Sequence, residues 1–177
     1  MWGMISSVST TTQTFGYATG ESAQAIEAAN YGARRMDRVR SCFGVSSVVA
    51  LELGSVVAIV GLCFPEAVAR LYMDVTDEVL GVVPHALRAY SLAFPLLVFN
   101  VSSTYCFQAV GWPLIATIAS LMRGLVVPAV FAFALPVLIG PGAVWFAVPA
   151  GELITLVFVL SQLPLAFGYG GRACPLA

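Results

Sequence analysis

The chain contains no lysine, only one histidine (His85) and few charges of either sign. Charged residues make up 10% of its 177 positions, whereas a soluble domain carries about 25%. Hydrophobic residues reach 59% and the mean hydropathy is +0.92. A water-soluble globular domain is excluded on these grounds, and a membrane protein is expected. A nucleic-acid surface is also excluded, because the one basic cluster has no stacking aromatic beyond Tyr31. A single histidine cannot supply a histidine-based metal site. Cys42, Cys63, Cys106 and Cys174 are widely spaced, with no Cys-x-x-Cys pair. They read as small apolar residues in or near lipid rather than as a disulfide framework. Neither a cofactor nor an enzymatic role is expected. No secretory leader is visible either: a basic n-region is missing, and Ser6 to Thr14 is too polar for an apolar h-region. The chain is expected to start at the edge of its first helix.

What is present is a series of long apolar runs. Four of them, about 42–64, 80–107, 113–139 and 143–169, are each long enough to cross a bilayer. Backbone groups in lipid must be satisfied internally, so these are helices, and none shows the alternation of barrel strands. A fifth stretch, about 5–31, is weaker, being rich in Ser and Thr and holding Glu21 and Glu27. At 100° per residue, Thr10, Gln13, Tyr17, Glu21 and Gln24 share one broad face. That pattern fits a helix lining a wet cavity, and equally a polar surface helix or a disordered start. The expected architecture is an all-α polytopic bundle of about five transmembrane helices in one domain, 1–177.

Half of the eight arginines, Arg34, Arg35, Arg38 and Arg40, fall in the connector 32–41. The connector 65–79 is net acidic, with Glu66, Asp74, Asp77 and Glu78 against Arg70. It reads as a turn and a short interfacial helix anchored by Leu71 and Tyr72. The positive-inside rule then places the basic loop 32–41 and the C-terminus with Arg172 in the cytoplasm, and the loop 65–79 outside. Pro95, Pro128, Pro136 and Pro149 lie within apolar runs, where membrane helices tolerate kinks.

Ionisable residues inside such runs cost about 2.5–3.5 kcal/mol each at a helix centre and are functional candidates. Glu52, Glu152 and Arg123 lie within runs, and Arg88 lies early in one. Two readings are open: Glu52 or Glu152 pairs structurally with Arg88 or Arg123, or one carboxylate takes up and releases a proton or sodium ion. Asn100, Thr104 and Gln108 recur every four residues, a stripe that either bonds helix to helix or lines a pathway.

One set of motifs is more specific. Gly20-Glu21-Ser22-Ala23-Gln24-Ala25-Ile26 followed by Asn30-Tyr31-Gly32-Ala33-Arg34-Arg35 resembles the multidrug and toxic compound extrusion (MATE) family. Phe64-Pro65-Glu66, Leu87-Arg88-Ala89-Tyr90, Phe107-Gln108-Ala109-Val110-Gly111-Trp112-Pro113, Ser120-Leu121-Met122-Arg123 and Gly142-Ala143-Val144-Trp145 continue the resemblance in order. It implies twelve helices in two lobes around a central cavity, of which this chain corresponds to about the last five. It also implies a multi-pass protein of the plasma membrane. Such a protein exports cationic or amphipathic drugs or metabolites in exchange for H+ or Na+.

The N-terminal lobe would then come from a separate chain or from a homo-oligomer, and the chain alone is expected to be incomplete or inactive. On this reading the candidates for a substrate or cation pathway are Glu21, Gln24, Glu52, Asn100, Thr104 and Glu152. Arg88 and Arg123 are structural or pairing candidates. The sequence departs from the family where sodium-coupled members carry an acid on the helix matching 80–107, since Phe99 and Asn100 stand there. Glu52 and Glu152 match no coupling site of the family. Two other functions remain open: a lipid-linked oligosaccharide flippase of the same superfamily, and a non-transporting membrane interaction protein. The first is disfavoured because only Arg88 and Arg123 are available to hold a pyrophosphate.

Overall fold

Eight α-helices, two of them joined through a π-turn segment, account for almost all of the described backbone. A computed structural model describes residues 2–72, 83–138 and 140–168. The helices are α1 (Trp2–Gly32), α2 (Met36–Cys63), α3 (Pro65–Tyr72), α4 (Val83–Ser91), α5 (Phe94–Ala109), α6 (Pro113–Leu121), α7 (Val127–Leu138) and α8 (Ala147–Gly168). Met122–Val126 forms the π-turn between α6 and α7, and Pro141–Phe146 is a 3-10 turn before α8. No strand occurs among the described residues. Asp74, Asp77, Glu78 and Arg172, on which part of the charge reading rests, lie outside them, as does Cys174.

The polar first stretch is a continuous helix of 31 residues, about 46 Å long at 1.5 Å per residue. Its hydroxyls explain how it tolerates an apolar setting. Thr10, Thr11, Thr12, Thr14, Thr19 and Ser22 each donate to the carbonyl four residues earlier. These groups are satisfied within the helix and need no water. The buried side of α1 carries Val8, Thr12, Gly16, Gly20, Ala23 and Glu27, a spacing of three and four that makes one face.

That face lies against α5, the centre of the bundle, where eleven of sixteen residues are buried. Gly16 and Gly20 allow the two backbones to meet. A Cβ on Gly16 would lie 2.7 Å from the Cβ of Val101, and one on Gly20 would strike the Tyr105 ring. Near the start of α5, a Cβ on Gly54 of α2 would lie 2.6 Å from the Cα of Pro95. Small residues therefore hold α5 against both α1 and α2. In lipid such packing replaces the hydrophobic effect as the source of helix association.

At one end of this trio, α1 and α5, which run parallel, close with the same turn. After α1, Arg35 N–H donates to Asn30 O and Arg34 N–H to Tyr31 O, each at 2.9 Å, and Arg34 has φ 58°. After α5, Trp112 N–H donates to Phe107 O at 2.8 Å and Gly111 N–H to Gln108 O at 3.2 Å, with Gly111 at φ 77°. These are left-handed helix caps with paired reverse hydrogen bonds. Gly111 fits that conformation freely. Arg34 holds it against a side-chain penalty.

Among the described residues, three helical segments are long and apolar enough to span: Met36–Cys63, Pro113–Leu138 and Ala147–Gly168. The bent pair Pro84–Ser91 and Phe94–Ala109, with 43° between them, makes a fourth. Pro95 accounts for the bend, since it gives no N–H to the preceding turn and its ring crowds the carbonyl four residues back. α1 is long enough to span, but its polar face makes it less apolar than these segments. α2 starts at Met36, six residues before the apolar run, so Arg38 and Arg40 stand on its first turns rather than in a loop. Hydropathy reads side chains alone, whereas the helix continues through a polar stretch that begins with Asp37, favourable at a helix N-terminus.

Candidate functional site

The site begins with a break in the helix carrying Arg123. Within Met122–Val126 the chain widens to a π-turn, and Val127 N–H bonds to Met122 O. Pro128 follows directly. Its ring would crowd the Gly124 carbonyl in a regular helix, and the wider turn relieves this. Arg123 is carried on the widened turn and faces α8, and its side chain is 11% exposed.

Opposite, Glu152 lies in the second turn of α8 and is buried. Asn100 Nδ2 donates to Glu152 Oε2 at 2.8 Å and to the Glu152 carbonyl at 2.9 Å. Arg123 NH1 stands 3.9 Å from Glu152 Oε1, an ion pair without a short hydrogen bond. Asn100 therefore orients the carboxylate, and Arg123 compensates its charge from further away. Asn100 Oδ1 and Arg123 Nε are buried with no hydrogen-bond partner, so the cluster has one free acceptor and one free donor.

Glu152 and Arg123 form one wall of a cavity of about 500 Å³. The opposite wall is the polar face of α1, with Ser6, Ser9, Gln13 and Tyr17, and Tyr90, Leu97, Pro128 and Val148 complete it. From there a polar ladder continues along α1 toward the arginine turn. Tyr17 OH donates to Gln13 Oε1 at 3.1 Å, and the Tyr17 and Tyr105 rings meet edge to face at 6.4 Å. Tyr105 OH donates to Glu21 Oε1 at 3.2 Å. Gln24 Nε2 donates to Gln108 Oε1 at 3.2 Å.

The sequence candidates separate accordingly. Asn100, Glu152 and Arg123 converge on one cluster, and Glu21 and Gln24 lie on the ladder. Thr104 is buried and donates to Val101 O of its own helix at 2.7 Å, so it reaches neither. Glu52 is exposed beside Val48, Leu51, Val56 and Ile59 on the outer face of α2, far from the Glu152 cluster in the packing. Arg88 is exposed on α4 and makes no ion pair among the described residues. Of the ion pairings left open for the intramembrane charges, the described residues show one, Glu152 with Arg123.

Glu27 was not singled out from sequence, yet it is 1% exposed. Neither of its oxygens makes a hydrogen bond of good geometry, and the group facing it is the Cys106 thiol, a weak donor. Its spacing from Gly16, Gly20 and Ala23 was the available signal, since those positions share the packed face of α1. No cluster of three or more His, Cys, Asp or Glu able to hold a metal occurs among the described residues.

A family model described as MatE matches residues 2–134. The chain belongs to the MatE family. The MatE chain also resembles two solved structures, both of a multidrug resistance MATE family transporter of the MOP superfamily. Against the inward-facing one it is 18% identical over 92% of this chain and 39% of that chain, with a TM-score of 0.80. Against the outward-facing one it is 17% identical over 96% of this chain and 42% of that chain, with a TM-score of 0.77. The MatE chain thus spans about two-fifths of the length of the structures it matches. No curated protein matches the sequence. The MatE chain is therefore a multi-pass membrane protein with the fold of part of a MATE transporter.

Proposed function

We propose that the chain forms most of one lobe of a cation-coupled exporter of cationic or amphipathic compounds. The observation that carries this reading is the cavity between the polar face of α1 and the Glu152–Arg123 pair. A membrane helix exposes a row of Gln13, Tyr17 and Glu21 only where water or a ligand meets it. Glu21, which accepts from the Tyr105 hydroxyl, and the paired Tyr17 and Tyr105 rings offer a carboxylate and aromatic faces to an organic cation.

The coupling ion, H+ or Na+, is assigned in this proposal to Glu152, with the free Asn100 Oδ1 as a second oxygen. Binding of the ion there weakens the hold of Arg123 on the carboxylate. The near-equal likeness to inward- and outward-facing structures supports a lobe that moves as a body. Alternating access requires two such bodies around a shared site, so transport needs an opposing lobe, from another chain or another copy.

Ethidium binding to the purified chain in detergent tests the site. Saturable binding is expected, weakened by Glu21→Gln, and competed by H+ or Na+ in wild type but not in Glu152→Gln. No saturable binding overturns the substrate reading, and competition that survives Glu152→Gln overturns the assignment of the ion. In proteoliposomes with an imposed proton or sodium gradient the chain held as a monomer should give no efflux. Efflux from the chain as a monomer would show that no opposing lobe is needed.

A further inference from the structure

A second feature lies on the other side of α1, away from the cavity. Between α1 and α2 runs an open groove of about 410 Å³, lined by Ala18, Ser22, Ile26, Cys42, Val45 and Val49 among others. Ile26 and Val45 are 55% and 66% exposed. The hydroxyls along it are already used: Ser22 donates to Ala18 O, Thr19 to Phe15 O and Ser46 to Phe43 O. The groove therefore offers hydrocarbon surface and no free donor.

The groove ends below the arginine turn. Ile26 is six residues from the end of α1, about 9 Å along the axis. Arg34, Arg35 and Arg38 are exposed there and make no ion pair among the described residues. Arg40 is directed elsewhere, donating to Phe167 O at 2.9 Å and lying over the Phe167 ring. Asp37 is the one acid within the turn, so the turn stays cationic. A cationic rim above an apolar slot is complementary to a ligand with one negative head and a long apolar tail.

We propose that this surface is a binding site for an anionic phospholipid. Its phosphate lies on Arg34, Arg35 and Arg38, and one acyl chain lies in the α1–α2 groove. Guanidinium groups bind phosphate through paired N–H donors, and basic residues at a membrane surface favour anionic headgroups. Arg34 keeps its left-handed conformation in the cap, which fixes the direction in which its Cα–Cβ bond leaves the turn.

The test uses the purified full chain, delipidated and then titrated with phosphatidylglycerol or phosphatidylcholine, with bound lipids counted by native mass spectrometry. Phosphatidylglycerol is expected to be retained about tenfold or more over phosphatidylcholine. The triple variant Arg34→Gln, Arg35→Gln, Arg38→Gln, with Arg40 intact, should lose that preference while keeping its unfolding temperature. Ala18→Phe, which fills the slot, should weaken retention of phosphatidylglycerol and leave the arginines in place.

Equal retention of the two lipids overturns the proposal. So does competition by glycerol phosphate as effective as by the whole lipid, which would show an anion site without an acyl seat. Retention unchanged in Ala18→Phe overturns the groove as the seat. A dimer that forms through this face and excludes lipid does so as well. If the triple variant unfolds early, the single Arg35→Gln and Arg38→Gln variants carry the same comparison, each with a partial loss of preference expected.

Discussion

Asn100 holds Glu152 twice, donating through one nitrogen to the carboxylate at 2.8 Å and to the main-chain carbonyl of the same residue at 2.9 Å. The double contact ties α5, the central helix, to α8 at the depth of the cavity. It also sets which carboxylate oxygen remains for Arg123. Asn100→Leu should therefore cost about 1.5–3 kcal/mol, the range for hydrogen bonds to charged groups. Thermal unfolding in detergent measures it. An unchanged midpoint would show that the contact contributes nothing to holding α5 on α8.

Arg123 and Glu152 should behave as a coupled pair. Arg123→Met leaves a buried carboxylate without its compensating charge, and loss of one buried partner costs about 3–5 kcal/mol. Arg123→Met combined with Glu152→Gln should be less destabilised than the two single effects summed, by about 0.5–3 kcal/mol. A thermodynamic cycle from four unfolding curves decides this. Strict additivity would mean that the 3.9 Å separation carries no interaction.

Gly16 and Gly20 should resist enlargement where Gly32 does not. A Cβ on Gly32 meets nothing within 4 Å, whereas one on Gly16 lies within 3 Å of Val101. Gly16→Val or Gly20→Val should cost about 1–3 kcal/mol through overpacking, and should broaden the size-exclusion profile as α1 separates from α5. Gly32→Ala should leave both stability and profile unchanged. Equal behaviour of all three variants would mean that the close α1–α5 approach does not hold the bundle.

At Glu27, replacing a buried carboxyl group by an apolar residue should help. Its oxygens are buried without good hydrogen bonds, and burial of an unpaired polar group costs about 1–3 kcal/mol. Glu27→Met, similar in length, should raise the unfolding midpoint, and Glu27→Gln should fall between. A lower midpoint in Glu27→Met would show that the carboxyl group makes a stabilising contact through the Cys106 thiol or elsewhere.

The sequence by itself determined that this is an all-helical membrane protein and which family it resembles. Both follow from local properties: transfer into lipid is decided residue by residue along a run, and the Asn30-Tyr31-Gly32-Ala33 motif and its arginines are contiguous. It also brought Glu152, Arg123 and Asn100 into view as costly or polar groups at membrane depth. Only the tertiary structure decided how they combine. Glu52 and Glu152 look alike in hydropathy, yet Glu52 points outward from α2 and Glu152 inward beneath Asn100. The reason is helix rotation: which side of a helix faces its neighbours depends on packing across the whole bundle. Here the Gly16–Val101 and Gly54–Pro95 approaches and the π-turn at Arg123 set that packing. The same rotation turned the polar face of α1 toward a cavity, an alternative that its composition had left open.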